Sequence, residues 1–100
     1  MSDKFTIQSL PGQLHGTAKT TVVTVSGGPT LLPAARLADR KDFLVYNSSG
    51  VTVYLGGSTV TYDTGIPVPA GGSFALQAGR ISIYAVVSGT NQTVRVFEAS

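Results

Sequence analysis

FLVYNSSGVTVYL, residues 43–55, decides how this chain folds. Two runs of β-branched, aromatic and aliphatic residues flank Asn47-Ser48-Ser49-Gly50, four residues with turn chemistry. Both runs are short and bounded by turn residues, as strands are, and the second alternates. The spacing predicts strands at 43–46 and 51–55, joined as a hairpin. Working outward, TTVVTV at 20–25 reads as a strand. So do Ile66–Val68, Ser73–Leu76, Arg80–Val87 and Thr93–Glu98. Ser88-Gly89-Thr90-Asn91 predicts a second hairpin between the last two. Only LLPAARLA, 31–38, carries helical signal. It reads either as one or two turns with Pro33 at an early position or as an extended crossing.

Seven or eight short strands, with turns roughly every 8–12 residues, predict an all-β domain. The expected architecture is an antiparallel β-sandwich, jelly-roll-like, over residues 20–100. Residues 1–19 are expected to form an extended N-terminal arm. That segment holds Pro11, Gly12 and Gly16, with scattered apolar anchors at Phe5, Ile7, Leu10 and Leu14. It cannot fold alone, and is expected to dock on a neighbouring subunit or a larger particle through those anchors.

Period-2 facing separates core from surface. Val51, Val53 and Leu55 share one face of their strand; Ile81, Ile83, Ala85 and Val87 share another; Val94 and Val96 a third. Val53, Ile81, Ile83, Val94 and Val96 are the expected buried set. The opposite faces carry Tyr54, Tyr84, Val86 and Phe97, and in the 43–46 run both faces are apolar, with Leu44 and Tyr46 opposite Phe43 and Val45. A solvated sandwich face is ordinarily polar. Tyr46, Tyr54, Tyr84 and Phe97 therefore mark a candidate contact surface, unless the arm or a loop of the same chain covers it. Pro67 and Pro69 lie two apart, so their missing N–H groups blunt one edge, and Ile66–Ala70 is expected at a sheet border or on a bulge.

Composition narrows the function. Only 12% of residues are charged, about half the usual share of about 25%; twelve Thr and ten Ser supply polarity instead. A net charge of +2, with bases scattered, gives no expectation of nucleic-acid binding. There is no Cys, so disulfides and thiolate metal sites are excluded. No apolar run approaches the roughly 18 residues of a membrane helix, and MSDKFTIQSLPG lacks the apolar segment of a secretory signal. The expectation is a chain made in the cytoplasm with no membrane partner.

The residues offer little chemistry. His15 is the only histidine and sits between glycine-flanked segments, the setting of an exposed loop. No acidic pair accompanies it, so no metal site and no cofactor are expected. Asp39-Arg40-Lys41-Asp42 reads as a solvated, self-paired turn, or less simply as a partner-facing cluster. No hydrolase elbow, phosphate loop or dinucleotide fingerprint is present, and no enzyme is expected. Asn47-Ser48-Ser49 and Asn91-Gln92-Thr93 match glycosylation sequons but read as turns.

The segment from Leu31 to Leu76, followed by 81–100, resembles a small domain recurrent in virion proteins of tailed bacteriophages. The shared elements are Leu37 and Arg40 before a strand, Asn47 at its end, and V-Y-L-G-G-S at 53–58. G-I-P-V-P-A-G at 65–71, I-Y-A-V at 83–86 and V-R-V at 94–96 complete them. They cover about two-thirds of the chain. The resemblance implies a structural role in the virion: a capsid decoration or minor capsid protein on the head lattice, or a tail or fibre module binding a host receptor or glycan. It also implies a homo-oligomer, a trimer, with the major capsid protein or another virion protein as partner.

Overall fold

A computed structural model describes residues 16–100; the arm anchors Phe5, Ile7, Leu10 and Leu14, and His15, lie outside the described residues. The described chain is all-β, with eight strands and no helix. In chain order these are β1 (Ala18–Val25), β2 (Thr30–Leu31), β3 (Asp42–Tyr46), β4 (Val53–Gly56), β5 (Ile66–Val68), β6 (Ser73–Leu76), β7 (Tyr84–Val86) and β8 (Gln92–Ala99). They form two four-stranded sheets. Sheet I runs β1-β8-β3-β6 and sheet II runs β2-β7-β4-β5, and every pair is antiparallel. The inward faces of both sheets supply a single core. Val25, Phe43, Val45, Val94 and Val96 come from sheet I; Val53, Leu55, Val68 and Ala85 come from sheet II. This is the arrangement of a β-sandwich.

Seven of the eight strands overlap the runs marked by periodicity, with 80–87 shortened to Tyr84–Val86 and β2 unmarked, but strand partners do not agree. The expected hairpin of 43–46 with 51–55 does not form: β3 lies in sheet I and β4 in sheet II. The second expected hairpin fails in the same way, because β7 is in sheet II and β8 in sheet I. In both cases the short polar link crosses between sheets. Period-2 facing cannot distinguish these outcomes. A residue facing its hairpin partner's core side and one facing a core from the other sheet obey the same alternation.

The core set is corrected at three positions. Val53, Val94 and Val96 are fully buried, and Ile83 packs against the core. Ile81, however, is 59% exposed. The chain is not in a regular strand before Tyr84, so alternation does not reach Ile81; it stands with Ile66 at the rim of an open cleft of about 220 Å³ at one end of the sandwich. Val51 is exposed because it lies in the crossing, two residues before β4. Val86, expected outside, is buried.

The burial of Val86 goes with a cover over sheet II. Tyr54 pairs with Val86 and Gly56 with Tyr84, which places Tyr54, Tyr84 and Val86 on the outer side of this sheet. Residues 57–65 fold back there, tied by Val60 N–H donating to Gly57 O (3.1 Å) and Gly65 N–H to Thr61 O (2.8 Å). Val60 is buried over Gly56. A Cβ on Gly56 would sit 2.7 Å from Val60 Cγ2, and one on Gly65 2.7 Å from Tyr54 Cβ. Both glycines are present because the loop lies directly on the sheet. Gly65→Ala is expected to cost about 1–3 kcal/mol through overpacking, measured by urea unfolding.

The edge expected at Ile66–Ala70 is where the residues placed it. β5 is a border strand of sheet II, three residues long, with Pro67 inside it. LLPAARLA takes the extended course: β2 ends at Leu31, and buried Leu32 and Pro33 lead a crossing back to β3. β1 begins at Ala18, so Ala18 and Lys19, assigned above to the arm, pair with Ala99 and Glu98.

Candidate interaction surface

Two buried polar clusters hold the crossings that carry the chain between sheets. Arg40 was expected in a solvated turn; the structure buries it instead. Its Nη1 donates to Glu98 Oε2 at 3.0 Å, its Nε to Gly79 O at 3.0 Å and its Nη2 to Ile81 O at 2.7 Å. The same Oε2 accepts Leu37 N–H at 3.1 Å. The guanidinium lies 5.1 Å from the centroid of the Phe43 ring, within cation–π range. One ion pair thus joins the 37–41 turn, the 79–81 turn and β8. Asp39 and Asp42 do not pair with Arg40. Asp39 instead has φ 55°, a conformation that Asp tolerates better than most residues.

Asn47 makes the second cluster. Its Nδ2 donates to Val51 O (2.7 Å) and Val68 O (2.8 Å). Its Oδ1 accepts from Ser49 N–H (3.0 Å) and the Ser49 hydroxyl (2.6 Å). All four bonding positions of the amide are used. The backbone of Asn47 also bonds Gly71 and Gly72. The side chain is fully buried, so the sequon at 47–49 offers no acceptor on the surface.

These clusters are architectural. Among the described residues, no three His, Cys, Asp or Glu side chains gather as a metal site would require. Among the described residues, the outer face of sheet I carries exposed apolar side chains. Register places Thr20, Phe97, Leu44 and Ala75 in one row across four strands, with Val22, Arg95, Tyr46 and Ser73 in the next. Val22 is 64%, Phe97 42% and Tyr46 41% exposed. Shallow hollows flank Phe97. One, of about 280 Å³, is lined by Gly16, Ala18, Asp42 and Ala99; the other, of about 370 Å³, by Asp42, Leu44, Ala75 and Leu76.

The four aromatics expected on a shared surface are therefore divided. Tyr46 and Phe97 stand on the outer face of sheet I. Tyr54 and Tyr84 are half-buried on the far side of the sandwich, where the 57–65 loop lies. The expected cover by the arm or a loop of the same chain is met on sheet II by the 57–65 loop; among the described residues no loop lies over sheet I, and the arm is outside them. No protein-family model, curated protein or solved structure matches this chain. Sequence reasoning did not single out Glu98, whose only signal was its position on the inward period of β8 with Val94 and Val96. Asn47 was read as a turn residue; nothing local distinguishes a turn Asn from one whose amide also ties a second sheet.

Proposed function

We propose that this chain is a non-enzymatic structural protein of a tailed-bacteriophage virion, a capsid decoration or minor capsid protein seated on the head lattice. The observation that carries the reading is the strand order. β1-β8-β3-β6 facing β2-β7-β4-β5 is the order expected of a jelly roll, in which paired strands fold over together into two sheets. Jelly rolls serve as the building block of many viral capsid domains. The residues of the phage resemblance fall at the joints of this order: Arg40 and Asn47 in the buried clusters, Gly56 and Gly65 under the loop cover, and Pro67 on the blunted border.

The partner is the major capsid protein or another protein of the head, and the contact is the outer face of sheet I around Phe97. A weakly charged face with an aromatic centre suits a protein partner, since interface cores are depleted in charge and enriched in aromatics. The chain is made in the host cytoplasm and resides in the virion.

Co-sedimentation with heads assembled without this protein tests the reading. Wild type is expected to pellet with the heads, and Phe97→Asp to bind about tenfold more weakly or worse, as loss of a central aromatic does. Tyr62→Asp, on the loop over sheet II, is expected to bind like wild type. Equal binding by wild type and Phe97→Asp would remove the sheet I face from the proposal. Failure of all three to pellet would remove the head lattice itself.

A further inference from the structure

The four sheet borders are not protected alike. β2 is two residues long, β5 is three residues and contains Pro67, and β6 is four residues. β1 is also a border strand, yet it runs for eight residues as AKTTVVTV, with no proline and one charge. Long, regular, uncharged borders are the ones that natural sheets avoid leaving open, because they recruit further strands.

The hydrogen-bond phase shows which groups β1 leaves free. Ser100 N–H donates to Thr17 O at 3.0 Å, so residues 17 and 100 form a bonded pair. Bonded and non-bonded pairs alternate along an antiparallel ladder. Lys19, Thr21, Val23 and Val25 therefore bond β8, while the N–H and C=O of Ala18, Thr20, Val22 and Thr24 point away from it. All four of these residues are exposed, and no described residue bonds their outward groups.

We propose that β1 is a self-pairing seam: two copies of this chain join β1 to β1 antiparallel about a two-fold axis, making one eight-stranded sheet from both copies of sheet I. Keeping core side to core side requires paired residue numbers with an even sum; of the two central sums, 42 and 44, the second is the one that sets Val22, the side chain in most need of cover, opposite Val22 of the second copy. Thr20 then meets Thr24 of the second copy, and the reverse. The free N–H and C=O groups at 20, 22 and 24 form six backbone hydrogen bonds. Val22, the most exposed large apolar side chain of the described residues, is covered by its own copy. Threonine pairs and β-branched pairs are favourable cross-strand neighbours. Lys19 falls opposite Val25 of the second copy, so no like charges meet.

The symmetry closes the assembly. The seam consumes both β1 borders, and the short or proline-bearing borders that remain cannot propagate it. A single strand seam covers less than the about 800 Å² per partner of a standard interface, so the dimer is concentration-dependent and forms where copies are held close. The inference needs no virion role, and its test uses no particle.

Sedimentation equilibrium of the full chain is expected to show 10.3 kDa monomers giving way to dimers across the micromolar range. Val22→Lys and Val22→Glu change an exposed side chain and should each stay monomeric with an unchanged circular dichroism spectrum. Mixed in equal amounts, they should dimerise again, because only a residue facing its own copy converts two repelling variants into an attracting pair. Val22→Pro removes only an outward N–H and should fold but not dimerise. A monomeric wild type at high micromolar concentration, a trimer, or no recovery in the mixture would each overturn the seam. So would a full-length monomer that dimerises only after deletion of residues 2–15, which would assign the border to the N-terminal segment.

Discussion

Arg40→Ala is expected to lower the unfolding free energy by about 3–5 kcal/mol, the usual cost of removing one member of a buried ion pair. Both side chains of the pair are essentially inaccessible to water. Removing the guanidinium leaves the Glu98 carboxylate buried with Leu37 N–H as its one remaining donor, since Oε1 already has no partner. It also strands the carbonyls of Gly79 and Ile81. Domains of this size are stable by about 5–15 kcal/mol, so a large share is lost. Glu98→Gln should move in the same direction, because Arg40 would keep its charge without a counter-charge. Converting both positions to Met removes both charges and should recover part of the loss, the carbonyls of 79 and 81 accounting for the remainder. Urea unfolding of Arg40→Met, Glu98→Met and their combination, treated as a double-mutant cycle, measures the coupling. A loss below about 1 kcal/mol for Arg40→Ala would place the pair in solvent.

Asn47→Ala is expected to cost roughly 3–4 kcal/mol. Truncation leaves Val68 O and Ser49 N–H without their partner, while Val51 O keeps the Ser49 hydroxyl at 3.0 Å, and each stranded buried group costs about 1–3 kcal/mol. The carbonyls belong to different segments: Val51 O is on the crossing from β3 to β4 and Val68 O is on border strand β5. Losing the amide therefore loosens the seating of β5 and not merely a turn. Asn47→Asp should be no milder, because it presents an oxygen where Nδ2 donates to two carbonyls. Hydrogen exchange should show the loss as faster exchange in β4 and β5, with β1 and β8 less affected. Uniform acceleration over all strands would indicate that Asn47 acts only through global stability.

How far the fold could be read from the residues follows from what alternation encodes. Val53, Val94 and Val96 were legible as core because each lies inside a regular strand. Ile81 was not, since the strand that would carry the period begins only at Tyr84. Strand pairing was the larger miss. FLVY and VTVYL look like a hairpin because their link is short and polar, but a short polar link can equally cross a sandwich. What decides between them is the burial of Asn47 and its bond to Val68 O, a contact across 21 residues. Pro67 was legible because a missing N–H is a property of the residue and needs no partner to interpret.

The surface divides along the same line. Opposite-face reasoning located Tyr46, Tyr54, Tyr84 and Phe97 away from the core of their own strands. It could not assign them to sheets, so it joined residues that lie on opposite sides of the molecule. Gly56 and Gly65 marked the difference: they are the two positions where Val60 and Tyr54 leave no room for a side chain. Arg40 was misread for a related reason. Its neighbours Asp39 and Asp42 invite local pairing, whereas its actual counter-charge is 58 residues away on β8.

The proposed virion role is tested by counting copies of this chain in purified particles, by quantitative mass spectrometry against the major capsid protein. A decoration or minor capsid protein is predicted to be present in a fixed ratio to the capsid protein, at many lattice-equivalent positions per head. A few copies confined to the tail, or none in the particle, would contradict it.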